Sequence, residues 1–99
     1  MTRPLAIDPY IVDVLMRDLI GHDRAPSAFP VYLWLWRKSR GEGRERVGAS
    51  LQTIATETGL SKSAVQAAVR RLVQRGLLAS EREGPTATPV YEVREPWRR

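Results

Sequence analysis

Hydrophobic residues recur at helical spacing in the first part of the chain. Placed at about 100° per residue, they cover half of a helical circumference. They are Ile11, Val12, Leu15, Met16, Leu19 and Ile20. Asp8 suits an N-cap, Pro9 suits the first helical position and Gly21 suits a C-terminal stop. The pattern predicts a helix over residues 9–20, with an apolar arc wider than one small domain covers.

The next apolar run predicts a second helix over residues 28–40. Its centre, residues 31–36, is apolar all round, so we expect it to be packed on more than one side. The run alone also fits a buried strand, but a cationic last turn followed by a glycine stop at Gly41 favours a helix. Ser27 is the candidate cap. The aromatic side chains have helical spacing and are expected in the core rather than stacked on bases: Phe29, Tyr32, Trp34 and Trp36.

Residues 50–76 contain two amphipathic segments separated by a glycine turn. Ser50 suits the cap of the first segment. Gly59 ends that segment, because glycine accepts a left-handed backbone without a Cβ clash. The buried side of this helix is predicted to hold Leu51, Ile54 and Ala55.

The second segment is predicted to be a helix from Lys62 to Arg75, between a Ser61 cap and a Gly76 terminator. Two helices joined by such a short turn form a helix-turn-helix. The inner stripe of the second helix is predicted to be Val65, Val69, Leu72 and Val73. Its outer face is predicted to carry Ser63, Gln66, Ala67, Arg70 and Gln74, with Arg71 at the margin.

The composition of this outer face favours DNA over plain solvent. Arginine donates two hydrogen bonds to guanine, and glutamine bonds both ways to adenine. Residues 61–76 contain no acidic residue, whereas a generic surface helix usually carries glutamate. Serine hydroxyls, a lysine and free amides at the helix start suit phosphate. The predicted DNA-binding residues of this helix are Ser61, Lys62, Ser63, Gln66, Arg70, Arg71 and Gln74.

Residues 77–82 and 90–94 predict two strands, joined by the turn-forming residues 84–89. Such a ribbon after a recognition helix is the wing of a winged helix. Arg82 and Thr86 are the predicted wing contacts to DNA. Thr88 and Arg94 are also within the ribbon, but so are Glu81, Glu83 and Glu92. A purely structural wing therefore stays an alternative.

The chain resembles the bacterial winged helix-turn-helix domain over about residues 27–94. The resemblance is carried by residues 27–36, 50–65, Leu72 and 75–78. The most similar forms are small domains of phage and plasmid replication-organiser proteins, with the MarR and GntR regulators more distant. The resemblance implies a mainly α, α+β fold and a DNA-binding role. It also implies contacts from Ser61, Lys62, Ser63, Gln66 and Arg70.

Length and charge agree with a small nucleic-acid-binding protein. The chain has 99 residues, a formal net charge of +5 and a pI near 10.4. We predict one domain over residues 1–99 with an added N-terminal helix and a tail at 95–99. Three alternatives stay open for the tail residue Trp97: it packs across the domain, it extends into solvent, or it touches DNA.

Catalysis and cofactors find little support in the sequence. There is no cysteine, and His22 is the only histidine, so no thiol, His-metal or Ser–His site is predicted. We expect no enzyme activity, metal, cofactor or small-molecule ligand. The chain start lacks a signal-peptide layout and no apolar run reaches the roughly 20 residues of a membrane span. The prediction is a cytoplasmic, nucleoid-associated protein.

The leading hypothesis is a small bacterial transcriptional regulator that binds double-stranded DNA. Two alternatives are an accessory factor of plasmid or phage replication or maintenance, and a winged-helix protein-interaction module. We further predict a homodimer through residues 9–20, because of the wide apolar arc. In the competing interpretation this helix only covers the helix at 28–40 within a monomer.

Overall fold

The computed structural model describes residues 4–98. Residues 1–3 and Arg99, at the ends of the predicted domain and tail, lie outside the described residues. A helical segment over 9–22 is followed by three α-helices: α1 (Ala28–Ser39), α2 (Leu51–Thr58) and α3 (Lys62–Gln74). Three short strands are β1 (Arg46–Gly48), β2 (Leu78–Glu81) and β3 (Val90–Val93). The fold is an α+β winged helix-turn-helix, as predicted.

The strands form one antiparallel sheet in the order β1-β3-β2. β2 and β3 are the two strands of the predicted ribbon. The third strand, β1, lies between α1 and α2 in sequence and pairs Val47 with Tyr91 of β3. Because β3 is central, its inward side chains Tyr91 and Val93 are buried. The sheet thereby closes one side of the core.

The apolar centre of α1 is packed on several sides, which accounts for its all-round hydrophobicity. Val31, Tyr32 and Leu35 are fully buried and Trp36 nearly so, while Trp34 is half-buried. The predicted helix and core position are confirmed. Ser27 makes no side-chain cap, so that detail was wrong. Gly41 is not the stop either, since a 3-10 turn over Arg40–Glu42 follows α1 and Gly43 takes the left-handed conformation (φ 68°).

The N-terminal segment is helical, and Asp8 caps it by accepting a hydrogen bond from the Tyr10 amide at 2.9 Å. Two of its turns are π-helical, Ile11–Leu15 and Asp18–His22. The helix therefore continues through Gly21, which was predicted to stop it. The left-handed residue after it is Arg24, at φ 52°.

The predicted apolar arc of this segment divides into two rows. Ile11, Leu15 and Leu19 are buried in the chain's own core. The adjacent row is open, with Val12 50% and Ile20 42% exposed and Met16 half-buried between them. The segment thus covers the core with one row and leaves the other at the surface.

The two ends of the described chain meet at a cluster that we call the terminal clasp: Asp8, Tyr10, Trp97 and Arg98. The rings of Trp97 and Tyr10 stack with centroids 4.5 Å apart. Trp97 Nε1 and Arg98 Nε donate to Asp8 Oδ2 at 3.2 and 3.0 Å. Of the three alternatives for Trp97, the structure shows packing across the domain.

Candidate nucleic-acid interface

Helix α3 is held against α2 by a short turn with two serine caps. Ser50 accepts from the Thr53 amide at 3.0 Å and Ser61 from the Ala64 amide at 3.1 Å. Gly59 between the helices has φ 80°, a conformation that L side chains rarely adopt. These three predictions are confirmed, and they fix the direction in which α3 leaves the turn.

The inner stripe of α3 differs from the prediction at two positions. Val65 and Leu72 are fully buried and Val69 is half-buried, as expected. Val73 is 43% exposed, and Ala68 is buried instead. Ala68 lies four residues before Leu72 on the same face of the helix, whereas Val73 lies beside Gln66 and Arg70. An apolar side chain therefore borders the outer face.

Every predicted DNA-binding residue of α3 is exposed. They are Ser61, Lys62, Ser63, Gln66, Arg70, Arg71 and Gln74. Helical spacing places Ser63, Arg70 and Gln74 along the middle of the outer face, with Gln66 on one side and Arg71 on the other. Ser61 and Lys62 stand at the start of the helix. All seven are thus exposed on α3 or at its start, and we call the surface they form the outer face of α3.

Three cations of this surface have no carboxylate partner among the described residues. Within residues 4–98 no carboxylate oxygen lies within 4.0 Å of a side-chain nitrogen of Lys62, Arg70 or Arg71. Arg75, one turn beyond Arg71, is different, because its Nε lies 3.3 Å from Asp23 Oδ2. The end of α3 is thus tied to the N-terminal segment, while its outer face keeps its positive charge.

The hydroxyls at the start of α3 are linked to each other. Ser61 Oγ caps the helix and lies 3.2 Å from Ser63 Oγ. In the cap, Ser61 Oγ accepts a hydrogen bond, so the hydroxyl protons of both serines are still available to donate. One of them serves the Ser61–Ser63 hydrogen bond, and the other can be donated to an acceptor outside the protein. Both side chains are exposed. The arrangement suits a phosphate oxygen as that acceptor.

The wing residues lie apart from α3, at the other end of β2 and β3. Arg82 and Thr86 are exposed, and Arg82 Nη1 approaches the Pro85 carbonyl at 3.4 Å. An open cleft of about 660 Å³ at the wing is lined by both signs of charge. Its charged residues are Arg46, Glu81, Arg82 and Glu83. Arg94 is paired with Glu92 at 3.1 Å. The mixed charge makes this surface a weaker anion site than the outer face of α3.

Sequence reasoning missed a groove beside α3. It is about 310 Å³ in volume and is bounded by residues 24–28 on one side and by α3 on the other. Arg24 and Arg71 both line it. The basic pair was not visible in the sequence, because it depends on Arg24 taking a left-handed conformation beside Arg71, which lies 47 residues further along the chain.

Asp23 is the acidic residue next to this region, and its charge is already engaged. The hydrogen bond with His22, and then the nearby Arg75 and Arg71, hold the pKa of Asp23 below its ordinary value. Its Oδ1 lies 2.9 Å from His22 Nδ1. Asp23 therefore stays ionised and serves to anchor the end of α3.

Comparison with known proteins agrees with this geometry. A family model described as a helix-turn-helix domain matches residues 25–78, more than half of the chain. Searches of curated proteins and of solved structures gave no significant match. The matched range contains α1, α2 and α3 and supports a DNA-binding role. Among residues 4–98, no helix has the length and apolarity to cross a membrane.

Proposed function

The chain belongs to the helix-turn-helix domain family, and we propose from that premise that it is a sequence-specific DNA-binding protein. Its role is that of a small bacterial transcriptional regulator rather than an enzyme. The observation that carries the proposal is the outer face of α3, an acid-free surface with cations that have no carboxylate partner in the described chain. α3 enters the major groove, as recognition helices do.

The roles of individual residues follow from their chemistry and place. Gln66 and Arg70 lie on the exposed side of the helix and read base edges, glutamine toward adenine and arginine toward guanine. Ser61, Lys62 and Ser63 are at the helix start and hold backbone phosphates. Gln74 and Arg71 extend the contact along the major groove of the DNA. On the wing, Arg82 and Thr86 make a smaller, backbone-directed contribution because of their acidic neighbours.

The experiment is an unbiased selection of bound duplexes from a random pool at about 150 mM salt. Non-specific phosphate binding by a +5 chain weakens strongly at this ionic strength. We expect enrichment of one sequence motif. Recovery of no motif would reject the proposal and favour a protein-interaction module. Regulation of transcription and a role in replication or plasmid maintenance both predict a motif, and its place in the genome distinguishes them: a promoter for the first, an origin for the second.

We also propose that the protein acts as a two-fold homodimer, with the open row Val12, Met16 and Ile20 at the interface. The support is that these adjacent apolar side chains remain at the surface, whereas the row of Ile11, Leu15 and Leu19 is buried in the core. An unpartnered apolar row of this kind suits a second copy of the chain. Paired recognition helices would then meet half-sites about 34 Å apart, or a multiple of that.

The dimer is tested by Ile20→Asp, because Leu15 is only 3% exposed and a charge there would damage the core. We expect sedimentation at tens of micromolar to give a dimer for the parent and a monomer for Ile20→Asp, with a similar unfolding temperature. Arg17→Asp, on the same segment, is the matched control and should stay dimeric. A monomeric parent contradicts this proposal without affecting the assignment of α3.

A further inference from the structure

The groove between residues 24–28 and α3 combines open space with unpartnered positive charge. Its wall on α3 consists of the small side chains Ala64, Ala67 and Ala68, which leave a volume of about 310 Å³. Arg24 and Arg71 line it from opposite elements, and both are exposed. No carboxylate oxygen of residues 4–98 lies within 4.0 Å of either guanidinium.

The acidic group closest to the groove does not neutralise it. Asp23 precedes Arg24 in the chain, but its two oxygens face His22 at 2.9 Å and Arg75 at 3.3 Å. Arg75 also lies 3.5 Å from Asp18 Oδ2, so the two carboxylates Asp18 and Asp23 share this region with the three arginines Arg24, Arg71 and Arg75. The region therefore keeps an excess of positive charge beside the groove, where a small anion would be favoured.

Arg24 is the one non-glycine residue of the described chain with a positive φ, at 52°. It follows the C-cap Asp23 of the N-terminal helical segment, a position at which glycine is the usual residue because it has no Cβ to clash. An arginine here keeps the strained backbone and adds a long cationic side chain at the mouth of the groove. Ser27, also on this wall, has no side-chain hydrogen bond to the start of α1.

We propose that this groove binds a phosphate of the DNA backbone, held by the guanidinium groups of Arg24 and Arg71 with the Ser27 hydroxyl as a further donor. The inference rests on the proposed function. Ala67 is exposed on the outer face of α3 and also lines the groove. A duplex that takes α3 into its major groove therefore brings one of its backbones to this side. Arginine is suited to phosphate because its planar fork donates two parallel hydrogen bonds.

The first test measures DNA affinity at two salt concentrations for Arg24→Gln and Arg71→Gln. We expect each to bind selected and scrambled duplexes about tenfold more weakly, and the salt slope to fall by about 1. Arg44→Gln is the matched control. Arg44 follows the opposite end of α1 from the groove, is 70% exposed in its side chain and is not near α3 in sequence. It should bind more tightly than either groove variant.

Arg24→Gly separates binding from folding. Glycine relieves the left-handed backbone, so the unfolding temperature should not fall, whereas the loss of affinity should equal that of Arg24→Gln. A variant that is as stable as the parent but binds DNA as tightly would overturn the inference.

The second test uses duplexes of the selected sequence with a neutral methylphosphonate at one backbone position each. One position should weaken the parent but not the double variant Arg24→Gln, Arg71→Gln, whose groove no longer holds that phosphate. Identical position profiles for parent and double variant would contradict the inference. If Gln66→Ala and Arg70→Ala still change specificity in that case, the proposed function stands. If the parent itself shows no sequence preference, the proposed function fails, and this inference with it.

Discussion

The cations of this protein lie in two kinds of surroundings. Around the terminal clasp, two arginines face carboxylates: Arg98 Nη2 lies 3.0 Å from Asp8 Oδ2, and Arg40 Nε lies 2.8 Å from Glu95 Oε1. On the outer face of α3, Lys62, Arg70 and Arg71 have no such neighbour in residues 4–98. The same residue types are thus neutralised in one region and left unneutralised in the other.

The difference separates architecture from recognition. Arg40 also donates to the Val93 carbonyl at 3.0 Å and lies over the Trp36 ring, so its charge is used to join β3 to α1. An unpaired cation on a surface makes no such join, and it adds attraction for an anion such as phosphate. Substitutions in the two regions should therefore affect different measurements: stability at the clasp, and DNA affinity at α3.

The largest expected effect is on the α3 side of the comparison. Arg70→Ala should cost roughly 1–3 kcal/mol of binding free energy on the selected duplex and relax specificity at one position. Its unfolding temperature should match the parent, because Arg70 is exposed and has no ion pair in the described chain. Fluorescence anisotropy on selected and scrambled DNA, with a thermal melt, measures both. Lys62→Ala is the control and should weaken both duplexes alike.

At the terminal clasp, Trp97→Ala should lower the free energy of unfolding by about 2 kcal/mol, through loss of stacking on Tyr10 and of partial burial. Trp97→Phe keeps an aromatic ring for stacking but loses the hydrogen bond to Asp8 and part of the indole area, so it should cost less than Trp97→Ala. Urea titrations measure both. DNA affinity should not change; a loss of affinity without a loss of stability would place the tail in the interface.

The clasp should also depend on pH. The hydrogen bond from the Tyr10 amide, then that from Trp97 and the Arg98 guanidinium, hold the pKa of Asp8 below its ordinary value of 3.8. A lowered pKa in the folded state means that the stabilisation is fully present above about pH 4 and is lost as pH falls through the folded value. Asp8→Asn should therefore be less stable than the parent at pH 7, and the gap should close toward pH 2. A gap that is constant with pH would rule out the ionised carboxylate as its source.

The smallest effect is expected at a surface pair. Glu92 and Arg94 lie 3.1 Å apart on the outer side of the sheet, with the Arg94 side chain 58% exposed. Exposed pairs of this kind contribute about 0–1 kcal/mol. Glu92→Gln should shift stability by less than about 0.5 kcal/mol, as thermal melts in low and high salt can show. A larger loss would mean that this exposed pair stabilises the sheet more than exposed ion pairs usually do.

The sequence predicted the helix-turn-helix well because its signals are local. Ser50, Gly59 and Ser61 each act within three or four residues, so caps and turn can be recognised without knowing the rest of the fold. The exposure of all seven residues on α3 follows from the same helical periodicity. Val73 was wrongly assigned to the inner stripe of α3, because the apolar residues cover a broad arc of the helix and their spacing alone does not determine which edge of that arc packs against the core.

The remainder depended on contacts that are distant along the chain. Trp97 donates to Asp8 across 89 residues, and no pattern around either residue specifies the other. The stop at Gly21 was wrong because two π-helical turns carry the segment to His22. The residue with the left-handed backbone is Arg24, although glycine is usual at such a position. The basic groove depends on this placement of Arg24 and was therefore missed as well.

The most direct measurement is to repeat the random-pool selection at about 150 mM salt with Arg70→Ala beside the parent. If the unpaired cations of α3 read DNA, the parent enriches one motif, and the variant enriches the same motif with a single position made degenerate. An unchanged motif, with the same preference at every position, would contradict the assignment of α3 as the reading helix.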